Sequence, residues 1–118
     1  MIRSYEDLEV YQKSYRLAVE MHGLSKKLPK DENLDLGSQM RRAALSIPLN
    51  IAEGYGKRES TAEFKRFLSM AKGSCEEMKV LAEYCKDVGH FEEGISKKLK
   101  ADYDEVGKML YGLRENWQ

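Results

Sequence analysis

Two cysteines, Cys75 and Cys85, and two histidines, His22 and His90, are the chain's softest ligands and strongest nucleophiles. A zinc site built from these four lacks the closely spaced pairs that such sites use. A di-iron bundle needs two Glu-x-x-His motifs with further carboxylates. Here Val19 stands three residues before His22, and Asp87 three before His90. No metal ligand set and no cofactor is therefore expected. Ser74 lies in Gly73-Ser74-Cys75, inside a helical pattern rather than on a strand–turn–helix elbow. Gly54-Tyr55-Gly56-Lys57 has neither the spacing nor the preceding strand of a phosphate loop. The cysteines are ten residues apart on one predicted helix, about 15 Å between alpha carbons, too far to bridge. They read as buried core thiols.

One further pair has catalytic spacing. Arg16 and His22 show the Arg-x5-His interval and in this resemble small helical ribonucleases of the HEPN class. On a continuous helix the two point about 120° apart. The sequence is accordingly read as non-enzymatic, with the ribonuclease as the third-ranked reading.

Charge is the more informative signal. The formal net charge is zero and the pI about 6.7, so the whole chain is not a general polyanion binder. From Arg41 to Lys72, however, Arg41, Arg42, Lys57, Arg58, Lys65, Arg66 and Lys72 face only Glu53, Glu59 and Glu63, a local net of +4. These seven cations are the candidate contacts to RNA or DNA. Lys65, Lys72 and Lys79 recur every seven residues along one helix face. Glu76 and Glu83 follow two of them at i+4, the spacing of ordinary surface pairs. A second feature is the stripe Gln39, Arg42, Ser46, Asn50 and Glu53, stepping by 3, 4, 4 and 3. Its neutral hydrogen-bonding side chains suit a polar network inside the bundle or across a subunit contact. Arg41 points about 100° away from Arg42.

Helices must position these residues. The chain has 118 residues, 42% hydrophobic and 34% charged, which fits one domain over residues 1–118. Its two prolines, Pro29 and Pro48, and its 3/4 apolar spacing predict an all-α, antiparallel up-down four-helix bundle. The first helix is expected from about Tyr5–Leu8, capped by Ser4, to before Pro29. It carries two apolar stripes: Leu8, Tyr11, Tyr15, Ala18 and His22, then Val10, Leu17, Met21, Leu24 and Leu28. One stripe packs a helix in a bundle; two imply a wide buried face or a second partner. His22 is expected to be half-buried. The second helix is expected from about Asp35 to Glu53, with a kink at Pro48 and an end at Gly54 and Gly56. The third opens on the capping box Ser60-Thr61-Ala62-Glu63 and ends at Gly89. The fourth covers about Glu92 to Glu115. No apolar run approaches the roughly 20 residues of a membrane span. MIRSYEDLEVYQ lacks the apolar stretch of a signal peptide, so a cytoplasmic protein is expected.

The segment from Gln39 to Gly56, QMRRAALSIPLNIAEGYG, carries a resemblance. It is similar to the signature of the four-helix-bundle proteins encoded in intervening sequences of bacterial 23S ribosomal RNA genes. Tyr5–Tyr11, Glu63-Phe64, Phe67-Leu68, Ala71, Gly73-Ser74 and Glu77 extend the likeness over nearly the whole chain. The accessory variability protein of diversity-generating retroelements looks like a relative. There the bundle forms a pentameric barrel whose basic surface engages nucleic acid and a reverse transcriptase. The resemblance implies a homo-oligomer, a pentamer by that likeness. The leading expectation is a non-catalytic oligomeric scaffold that binds RNA or DNA through the basic middle segment. The alternative is a protein–protein adaptor that recruits an enzyme such as a reverse transcriptase and touches no nucleic acid.

Overall fold

The computed structural model describes residues 1–118. Four long helices carry the fold: α1 (Glu9–Ser25), α2 (Ser38–Gly56), α3 (Thr61–Asp87) and α4 (Glu93–Asn116). A 27-residue helix is about 40 Å long, and the whole molecule measures 44 × 22 × 22 Å. Each short connection must therefore reverse the chain, giving an antiparallel bundle. α1 packs on α2, α2 on α3 and α3 on α4, while α4 closes against α1 over a smaller contact.

The apolar spacing becomes the core. Met21, Met40, Ala44, Ile47, Ile51, Phe64, Cys75, Met78 and Val106 are wholly buried. The second stripe of α1 supplies Val10, Leu17 and Met21, with Leu28 just beyond the helix. The first stripe behaves differently. Tyr11 and Ala18 are half-buried, whereas Tyr15 and His22 are exposed. His22 is thus not half-buried as its place in the stripe suggests: it lies at the open rim of a shallow pocket shared with Arg41 and Leu45 of α2.

Several boundaries move. Ser4 caps a separate 3-10 turn, Tyr5–Asp7, in a reciprocal box with Asp7; α1 starts two residues later. Before α2 the chain forms a short helical turn, Lys30–Glu32, and a π-helical stretch, Asn33–Gly37. A β-carbon at Gly37 would push aside the Asn33 side chain, whose Oδ1 accepts the Arg41 hydrogen bond. α2 does not end at Gly54. It runs through Pro48, which has no N–H for the Ala44 carbonyl, and on to Gly56. Gly54 is a packing residue, since a β-carbon on it would sit 2.6 Å from Phe67 Cβ on α3.

Ser60 caps α3 by accepting from the Glu63 N–H at 3.2 Å. The reciprocal half of the box is replaced, because the Glu63 carboxylate turns to Arg66. At the other end Gly89 takes φ +83°. The N–H groups of Gly89 and His90 close on the carbonyls of Lys86 and Cys85, a Schellman ending.

Candidate interaction surfaces

The seven cations of the basic segment occupy three places. Lys57, Arg58 and Arg66 gather where α2 turns into α3, over aromatic side chains. The Arg58 guanidinium lies 4.1 Å from the Tyr55 ring centre and donates to the Tyr55 carbonyl at 2.9 Å. Lys57 and Arg66 both sit over Phe67, at 5.0 and 4.6 Å. Tyr55 and Phe64 in turn meet Trp117 edge-on, which ties the end of α4 into this cluster. Two of these cations are also paired: Lys57 with Glu53 at 3.6 Å and Arg66 with Glu63 at 2.9 Å. The hydrogen bond from Arg66 holds the Glu63 carboxyl below the usual carboxylate range.

Lys65 and Lys72 lie on the flank of α3 toward α4 and have no carboxylate partner. Lys72 opens onto a cleft of about 300 Å³ with Glu76, Asp104, Lys108 and Tyr111. The i+4 pairs suggested by spacing do not form. Glu76 joins Lys79 at 3.2 Å instead, and Lys79 also reaches Asp104 on α4 at 3.2 Å. Glu83 bridges Lys86 and, across to α4, Lys100 at 2.6 Å. Asp104 and Lys100 on α4 thus draw Lys79 and Glu83 into pairs across the helices and leave Lys72 free.

Arg41 and Arg42 form the third place and diverge. Arg41 turns toward α1 and donates through Nη1 to Ser25 Oγ at 2.8 Å and Asn33 Oδ1 at 2.9 Å. It clamps the end of α1 to the π-helical stretch. Arg42 has no partner and opens onto a groove of about 730 Å³ between α2 and α3. Gln39, Arg42 and Ser46 of the polar stripe line that groove. Ser46 Oγ lies 2.7 Å from Ser74 Oγ on α3, Asn50 donates back to the Ser46 carbonyl, and Gln39 reaches Glu77 at 3.4 Å. Glu53 leaves the stripe for Lys57.

The surface that stripe-reading passed over is apolar. On α1 and α2, Tyr15, Val19, Leu45 and Leu49 are each about half exposed or more, Val19 at 60% and Leu49 at 57%. Tyr15, Ala18, Val19, His22, Arg41 and Leu45 enclose one shallow pocket, so the two helices share a patch. Tyr11 stacks on Tyr15 at 5.9 Å and extends it. The signal was present: Leu45 and Leu49 fall outside the buried face of α2, and Val19 outside both stripes of α1.

Residues 6–112 match the family described as 23S rRNA-intervening sequence protein. The chain belongs to that family. A comparison with curated proteins gives no match. In this 23S rRNA-intervening sequence protein no three His, Cys, Asp or Glu side chains gather into a metal-binding cluster. Cys75 and Cys85 are buried, and burial pushes their thiols up to about 12 and about 11. Arg16 and His22 are both exposed on α1 and share no hydrogen bond. No helix is long and apolar enough to cross a membrane.

Proposed function

We propose that the chain is a non-catalytic cytoplasmic scaffold that assembles with copies of itself and offers unpaired cations to RNA or DNA. The observation that carries assembly is the open patch of Tyr15, Val19, Leu45 and Leu49. Burying one such side chain stabilises by about 1.5–3 kcal/mol, and contiguous apolar surface of this kind marks an interaction site. A pentamer is what the resemblance to the accessory variability protein of diversity-generating retroelements implies. For nucleic acid the available cations are Arg42, Arg58, Lys65 and Lys72, none of which has a carboxylate partner. Five-fold repetition would let modest contacts add by avidity.

Sedimentation equilibrium at micromolar concentration tests the assembly; a monomer overturns it. One specific observation favours the second reading, a protein adaptor that recruits an enzyme such as a reverse transcriptase. Lys57 and Arg66 are paired to acids and Arg41 is turned inward, so three of the seven cations are already engaged. Absence of binding to RNA and DNA at about 50 mM salt, where phosphate contacts are favoured, selects the adaptor.

A further inference from the structure

We propose that the flank between α3 and α4 seats an unpaired strand of RNA or DNA, with Tyr111 as the platform on which a base stacks. This rests on the nucleic-acid reading above and names the form of nucleic acid that the surface takes.

Tyr111 stands on α4 and is 56% exposed. Other rings of the chain are already occupied. Arg58 lies over Tyr55, Lys57 and Arg66 lie over Phe67, and Tyr11 stacks on Tyr15. Neither a ring nor a cation lies over Tyr111. Two adjoining clefts, of about 300 and 340 Å³, share Tyr111, Lys72 and Glu76. Gly107 lines one of them and Gly73 the other, and a β-carbon on either would meet nothing within 4 Å. Gly107 is four residues before Tyr111, where a side chain would otherwise stand beside the ring. No packing inside the chain asks for a glycine at these two points. Together they leave room for a flat group against Tyr111.

The cations of this flank suit a chain of phosphates. Lys65 and Lys72 lie about 10 Å apart along α3, and neither has a carboxylate partner. On α4, Lys108 precedes Tyr111 by one helical turn and Arg114 follows it by one, and each lines one of the clefts. Two acids share the site, Glu76 and Asp104, and Lys79 holds both at 3.2 Å. Hydrogen bonds from Lys79 and then Lys108 keep the Asp104 carboxyl below the usual carboxylate range. Arg114 pairs with its neighbour Glu115 at 2.8 Å. With both cleft acids engaged by Lys79, Lys72 stays available beside Tyr111. An aromatic face set among backbone-contacting cations is how sequence-tolerant single-strand sites are built. In a duplex each base face is already stacked on its neighbours. An unpaired base has a face to offer Tyr111.

Fluorescence anisotropy at about 50 mM salt, with a labelled oligouridine and a labelled duplex of equal length, tests the assignment. Tyr111→Ala should weaken binding of the single strand about ten-fold or more, the order of one stacked base, and leave duplex binding unchanged. Tyr111→Phe keeps the ring and should bind the single strand like wild type. Tyr111→Leu keeps apolar bulk without the ring and should lose as much as Tyr111→Ala; it also replaces that variant if circular dichroism shows lost helix. The salt slope for the single strand should be the same for Tyr111→Ala as for wild type, because no phosphate contact is removed. Lys72→Gln should instead lower it by about 0.7. A Tyr111→Ala protein that binds the single strand like wild type overturns the platform, as does one that loses single strand and duplex equally; both outcomes leave the nucleic-acid reading standing. A wild-type protein that binds neither form overturns that reading and the platform with it, so the two failures are distinguishable.

Discussion

Gly54 on α2 and Phe67 on α3 sit so close that a β-carbon added to the glycine would lie 2.6 Å from Phe67 Cβ. Neither backbone can yield without parting the two helices, since both residues are buried. The contact also sets the aromatic cluster in place. Phe67 carries Lys57 and Arg66 over its ring, and its neighbour Phe64 packs on Tyr55 and Trp117.

Gly54→Ala is therefore expected to destabilise the bundle despite its gain in helix propensity. Overpacking costs about 1–3 kcal/mol, against about 1 kcal/mol recovered from replacing a mid-helix glycine. Gly73→Ala is the control, because its β-carbon meets nothing within 4 Å in the chain. Urea titration of the two variants should show a lower midpoint for Gly54→Ala and an unchanged or higher one for Gly73→Ala. Equal midpoints would remove the packing argument.

Arg41 acts as a clamp, and its loss should be local. Arg41→Ala leaves Asn33 Oδ1 and Ser25 Oγ without their guanidinium donor. A hydrogen bond from a charged group is worth roughly 1.5–3 kcal/mol. Faster amide exchange is expected across Asn33–Gly37 and the end of α1, with the α3–α4 half unchanged. Uniformly faster exchange would mean that the clamp acts on the whole fold.

The four helices were legible because Met40, Ala44, Ile47 and Ile51, or Phe64, Leu68, Ala71 and Cys75, repeat at helical intervals and each repeat became a buried stripe. The roles of single glycines and cations were not. Gly54 after Glu53 reads as a stop signal, and only the distance to Phe67 shows a close contact between helices. Arg41 and Arg42 are adjacent and alike in sequence, yet one is spent on Asn33 and Ser25 while the other opens onto a groove. Lys79 looked set to pair with Glu83 until α3 and α4 brought Asp104 within reach. Pairing across helices depends on rotation and register, which a one-dimensional spacing does not encode.

Glu83 ties α3 to α4, and its pH dependence follows. Hydrogen bonds from Lys100 and then Lys86 lower its pKa from 4.5 to about 2. A folded pKa below the unfolded one adds stability that is present above about pH 4.5 and is lost as pH falls toward 2. The bridge lies at the surface, where solvent and salt screen it, so the effect is small. Between pH 5 and 2.5, Glu83→Gln should lose less thermal stability than wild type. Parallel melting curves for the two proteins across that range would show that the bridge contributes nothing.

The thiols give a sharper test of the core. Burial raises Cys75 to about 12 and Cys85 to about 11. At pH 8 the thiolate fraction is therefore about a thousandth or less, and both sulfurs are closed to reagent. A disulfide-exchange reagent should titrate no thiol in the native protein at pH 8 and two after denaturation. Rapid reaction of either cysteine in the folded state would place a gap in the bundle beside it.

Nucleic-acid binding, where it occurs, should be electrostatic and local to the unpaired cations. Arg58, Lys65 and Lys72 have no carboxylate partner, whereas Lys57 and Arg66 must give up Glu53 and Glu63 before they can meet a phosphate. The aromatic rings near the α2–α3 turn are mostly buried or already covered by Arg58, Lys57 and Arg66, so base stacking there contributes little. Binding is then largely independent of sequence and falls steeply with salt, by about 0.9 in log–log slope for each phosphate neutralised on duplex DNA. Joint replacement of Arg58, Lys65 and Lys72 by Gln should flatten that slope by up to about three such steps per subunit while circular dichroism stays unchanged. Joint replacement of Lys57 and Arg66 should change it less, because these two are already paired with Glu53 and Glu63 and contribute less charge to a phosphate contact. Arg41→Gln should leave the slope alone. A slope that responds to Arg41 but not to Arg58, Lys65 and Lys72 would move the interface to the α1–α2 side and away from the turn.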